Sequence, residues 1–270
     1  MDNQKQIMHD LQGKPRMFRN KTYVYPIKMR DALDFYDAVT VFNIDKNSID
    51  DVKILQMSYL RFLLQVSYPK ETHYLRERLF TLLKLVFNTD DVDIGVTLED
   101  EYASLSEHPE YCFADEVNCV IRINNSIEIT EFDFSKLKTV ISEQNMVELN
   151  SDEYQSKEFK EAMERAKKFM EKRNGKAAPL DERILAYQYE MKCSLNDVFD
   201  LTLYQFNRSL ESIAHIKNSD MLQHAVYSGM VSPKDSSKLP TWLSAIERNK
   251  EDSLLIDATE LTGKLNSVFS

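Results

Sequence analysis

CVIRINNSIEIT, residues 119–130, alternates apolar and polar positions on either side of Asn124-Asn125. A period of two is the strand period, and asparagine tolerates the positive φ of a tight turn, so IRINNSIEI reads as a β-hairpin. VDIGVTL at 92–98 is a second short alternating segment. The segments on both sides instead repeat their apolar residues at helical spacing. The predicted fold class is therefore mainly α with a small antiparallel β insertion (α+β), a helical part before the insert and another after it.

Upstream, Leu33, Tyr36, Val39 and Phe42 recur at helix spacing. Ser48 opens SIDDVKILQMSYLRFLLQVSY with Asp51 three residues on, a Ser-x-x-Asp start that predicts one helix running toward Pro69. Beyond that break Leu75, Leu79, Leu82, Leu83 and Val86 predict a helix with a broad apolar face.

Downstream of the insert, Phe134, Leu137 and Ile141 share a helical face. A second, mostly solvated helix is predicted over 154–175, with a narrow stripe at Phe159, Met163, Ala166 and Met170, ion pairs Glu161 with Arg165 and Glu164 with Lys168, and an end at Asn174-Gly175. LDERILAYQYEMKC follows, then Ser194 with Asp197, and Thr202 with Gln205 as a capping box that Leu201 staples against Phe206. Leu203, Phe206, Leu210 and Ile213 continue that helix, Gly229 is placed at a C-terminal cap, and SLLIDATELTGKLNSVF predicts a last helix weakened by Gly263. These signals divide the chain into an arm at 1–30, a helical domain at 31–150 with an acidic β insert around 90–131, a charged connecting helix at 151–178, and a C-terminal helical domain at 179–270.

The 270 residues carry a formal charge of −10, which weighs against a surface that binds nucleic acid everywhere. Acid is concentrated in the insert: Leu85 to Ile121 contains ten Asp or Glu and no Lys or Arg. Three cysteines, Cys112, Cys119 and Cys193, make no disulfide framework, and no apolar run has the length of a signal core or a membrane span. A cytosolic product without a membrane partner is the expectation.

Motif chemistry is sparse. The five glycines, at 13, 95, 175, 229 and 263, are never closer than 34 residues, so no loop has the clustered glycines that wrap a phosphate. His108, Cys112 and Cys119 lack a fourth ligand and the close cysteine pair of a zinc site. Asp90, Asp91 and Asp93, and Glu99, Asp100 and Glu101, lack the cadence of a calcium loop and read as solvated acid. His215 and His224 are nine residues apart, outside the helical zinc spacing, and no Gly-x-Ser-x-Gly elbow occurs. No catalytic residue, metal site or cofactor is expected, and the chain reads as a non-enzyme.

KPRMFRNKTYVYPIKMR, residues 14–30, interleaves Lys14, Arg16, Arg19, Lys21, Lys28 and Arg30 with Phe18, Tyr23 and Tyr25. Basic and aromatic residues mixed in this way can bind single-stranded nucleic acid, or can form an extended arm that adds to a partner protein, and the acidic net charge favours the protein. The single tryptophan, Trp242, sits in KLPTWLSAIERN with Leu239, Leu243 and Ile246 and is a second candidate anchor. Arg16, Phe18, Arg19, Tyr23, Tyr25 and Trp242 are the candidate partner-binding residues.

Three stretches, YVYPIKMRDALDFYDAVTVFNIDKNS, EITEFDFSKLKTVISEQN and DVFDLTLYQFNRSLESI, followed by HAVYSGMV and LPTWLSAIERN, resemble tail and baseplate assembly proteins of large tailed bacteriophages, tail-assembly chaperone-like products among them. The resemblance spans most of the chain and carries no catalytic or metal motif. It implies a virion component or an assembly factor in the host cytoplasm, with other tail or baseplate proteins, or further copies of itself, as partners. A nucleic-acid-binding phage regulator using residues 14–30, and a metal-dependent hydrolase using Asp91 and Asp93, are the alternatives.

Overall fold

A computed structural model describes residues 2–19, 22–46, 52–98, 101–113, 117–125, 127–149, 165, 178–228 and 242. The chain divides into two compact units, residues 1–155 with 179–208, and residues 156–178 with 209–270. The first unit is thus built from two separated stretches of sequence.

In the first unit the chain starts as helix α1 (Asp2–Leu11), turns at Gly13, and forms a two-stranded antiparallel hairpin, β1 (Arg16–Arg19) and β2 (Thr22–Val24). Helix α2 (Ala32–Ala38) runs on as a 3-10 turn to Asn43. Helices α3 (Val52–Gln56) and α4 (Tyr59–Val66) come next, followed beyond Pro69 by α5 (His73–Phe87). The predicted apolar face of α5, including Leu75, Leu79, Leu82, Leu83 and Val86, is buried.

The single helix predicted from Ser48 is instead two helices, with the break at Met57-Ser58. Ser58 has extended backbone and its hydroxyl accepts from the Arg61 N–H at 3.2 Å, so it is an N-cap in its own right. The same hydroxyl donates to Glu131 at 2.6 Å, which ties the break to a residue 73 positions downstream. The proposed start at Ser48 and Asp51 lies outside the described residues.

The insert is a four-stranded antiparallel sheet in the order β4-β3-β5-β6, from β3 (Val92–Leu98), β4 (Glu101–Ser104), β5 (Asn118–Ile123) and β6 (Ile127–Thr130). Ile123 pairs with Ile127 across Asn124 and Asn125, whose φ values are 49° and 52°, the left-handed turn geometry anticipated from the sequence. Ile94, Val96, Ile121, Ile123 and Ile129 are buried, and α5 and α6 (Glu131–Asn145) pack on the sheet. Strand β4 was not read from the sequence, because Glu101 to Ser104 lies in the acidic run and its side chains are at most half-buried.

The second stretch of this unit supplies α7 (Leu180–Met191), α8 (Leu195–Asp200) and the start of α9 (Leu203–Tyr227). Both predicted caps form. Ser194 and Asp197 exchange side-chain to backbone bonds at 3.2 and 2.8 Å, and Thr202 and Gln205 do the same at 3.2 and 2.8 Å. Tyr187, Val198, Leu203 and Phe206 are buried here.

In the second unit the described helix is α9 from residue 209 onward, where Ser219 is buried and accepts from the Gln223 amide at 3.4 Å. The helix expected over 154–175, apart from helical Arg165, the cap at Gly229 and the last helix with Gly263 lie outside the described residues.

Candidate interaction surface

Residues 2–19 and 22–30, read from sequence as an arm, belong to the first unit, and several of their side chains are buried in it. Val24, Ile27 and Met29 are buried, and burial of such side chains contributes about 1.5–3 kcal/mol each, enough to offset the ordering of a short segment. Backbone bonds finish the attachment: Tyr25 N donates to Val86 O at 2.7 Å, Met29 N to Leu201 O at 2.8 Å, and Leu203 N to Ile27 O at 2.8 Å. Asn145, fully buried, accepts from Ile27 N at 3.0 Å and donates to Ile141 O at 2.9 Å. Gln144 donates to Val24 O at 3.2 Å, and the Gln205 amide donates to Leu11 O at 2.8 Å.

The hairpin has two faces because its register pairs Arg16 with Val24 and Met17 with Tyr23, with an irregularity between Met17 and Arg19. Thr22 and Val24 face inward; Met17, 69% exposed, and Tyr23, 43% exposed, stand together outside. Tyr25 is 38% exposed and Phe18 is half-buried. Met17 was missed in the sequence; the alternation that turns Tyr23 outward, read across the hairpin register, is the signal that places it.

The basic residues serve a different end. Arg16 keeps only 11% of its side chain exposed and donates Nε and Nη2 to Asp10 at 2.9 and 2.6 Å, and Nη1 to Glu143 at 2.7 Å. Burial alone would lower its pKa, but the bonds to Asp10 and Glu143 and their negative charges outweigh it and hold the guanidinium above its ordinary value. Arg19 is bridged to Asp133 and Arg30 to Asp200, with Lys28 Nζ 3.9 Å from the same carboxylate. Four of the six cations in this segment thus have carboxylate partners; Lys14 is exposed and Lys21 lies outside the described residues.

Trp242 is 59% exposed in a turn and belongs to the second unit; the helix expected around it lies outside the described residues.

In the acidic insert the charged and polar groups bond to one another. The Asp93 carboxylate accepts from Tyr102 Oη at 2.8 Å and Ser104 Oγ at 3.0 Å, and the Arg122 guanidinium lies 3.5 Å over the Tyr102 ring. Burial, then the bond to Asp93, pushes the Tyr102 phenol well above its ordinary pKa. Asp91 accepts from the Asn125 amide at 3.3 Å and serves the hairpin turn. His108 is half exposed and stacks on Tyr111, whereas Cys119 is buried in β5. Among the described residues no group of three His, Cys, Asp or Glu is arranged to hold a metal ion, and no helix is long and apolar enough to cross a membrane.

Residues 172–247 match the family model described as YomV second domain. The family carries a Bacillus-phage-type name, and the match covers well under half of the chain, beginning before α7 and running past the end of α9. No curated protein and no solved structure matches the chain.

Proposed function

We propose that this chain is a non-enzymatic bacteriophage protein of the tail or baseplate, either built into the virion or acting as an assembly chaperone, and that it works through protein–protein contacts. The observation that carries the reading is the Met17–Tyr23 face, apolar and aromatic side chains held outward on a hairpin whose other face is buried. Rigid aromatic and methionine side chains give large contact area at small entropic cost, which suits them to a partner surface. The phage-associated family match and the resemblance to tail and baseplate proteins support the same setting. Phe18, Tyr23, Tyr25 and Trp242 are the proposed contact residues with Met17. Arg16 and Arg19, candidates of the same group, act at the contact through the geometry they give the hairpin, since their guanidinium groups already bridge to carboxylates.

That pairing also weighs against the regulator reading, because phosphate binding would have to compete with Asp10, Glu143 and Asp133 for the same cations. The test is association in infected cells. Mass spectrometry of purified particles and of complexes captured before assembly should find the chain with a tail or baseplate protein, and replacing Met17 and Tyr23 by Ala should weaken that complex. A chain that co-purifies with no tail protein at any stage refutes the proposal.

A further inference from the structure

We draw no further inference here: the strongest candidate, the half-exposed Tyr68–Phe113 aromatic pair where the end of α4 meets the 3-10 turn Pro109–Phe113, carries nothing because no feature of the structure shows what covers it.

Discussion

Tyr102 occupies the space that a side chain at Gly95 would need. A Cβ built there falls inside contact distance of the Tyr102 ring and 2.5 Å from the Ala103 carbonyl oxygen, in the middle of a strand paired on both sides. Glycine inside a strand often marks a place where another group approaches the backbone closely, and here Gly95 is the floor on which an aromatic ring lies. Gly95→Ala should therefore destabilise by about 1–3 kcal/mol through overpacking, read as a lowered thermal midpoint. Adding Tyr102→Ala should recover part of that loss, and two purely additive effects would show that ring and glycine are not coupled. Asn145 gives a second case, with both ends of its amide bonded at 0% exposure. Asn145→Ala leaves the Ile27 N–H without its acceptor and should cost about 1–3 kcal/mol in a denaturation midpoint. An unchanged midpoint would mean that the segment around Ile27 is not held by this bond. Neither role is visible in the sequence, since each depends on a neighbour brought in by the fold, from Tyr102 for one and from Ile27 for the other.

At the scale of elements, local signals were legible and tertiary ones were not. The Asn124-Asn125 turn, the Ser194–Asp197 and Thr202–Gln205 boxes and the apolar face of α5 all rest on residues within a few positions of each other, and each forms as read. The break at Ser58 was hidden because the apolar period continues through it, while the Glu131 that accepts from Ser58 comes from 73 residues away. The ion pairs of residues 14–30 were hidden for a related reason: their basic residues look available until Asp133, Glu143 and Asp200 arrive from other elements. The Asp197 box makes a pH prediction of definite sign. Bonds from Ser194, first its side chain and then its backbone, hold the carboxyl below its ordinary value of 3.8, so the stabilisation is present above that value and is lost as pH falls through the lower folded pKa. An NMR titration of Asp197 should show a depressed midpoint that moves back toward 3.8 in Ser194→Ala. No movement would mean that the Ser194 hydroxyl bond does not set its acidity.

At the scale of the whole chain, the family match and the packing units follow different boundaries. The matched residues 172–247 contain 179–208, which pack in the first unit, and continue into 209–247, which belong to the second. The linear division at 178 drawn from the sequence is crossed in the same way, because helices α7, α8 and the first turns of α9 share a unit with residues 1–155. Contacts of the N-terminal segment explain why: the turn at Met29–Asp31 packs against α8, and the backbone bonds between 27–29 and 201–203 join chain segments about 170 residues apart. A fragment cut to 172–247 would expose Val198, Leu203 and Phe206, buried in the intact chain, and would lose both backbone bonds of that junction. Each apolar side chain forfeits about 1.5–3 kcal/mol, so three consume a large part of the 5–15 kcal/mol typical of a whole domain. The fragment should therefore show poorly dispersed amide resonances over 195–206, and the chain without residues 1–30 should unfold at a clearly lower denaturant concentration than the full chain. Well-dispersed resonances in the fragment together with an unchanged midpoint in the truncated chain would make the matched segment an independent domain and the N-terminal attachment an ornament of its surface.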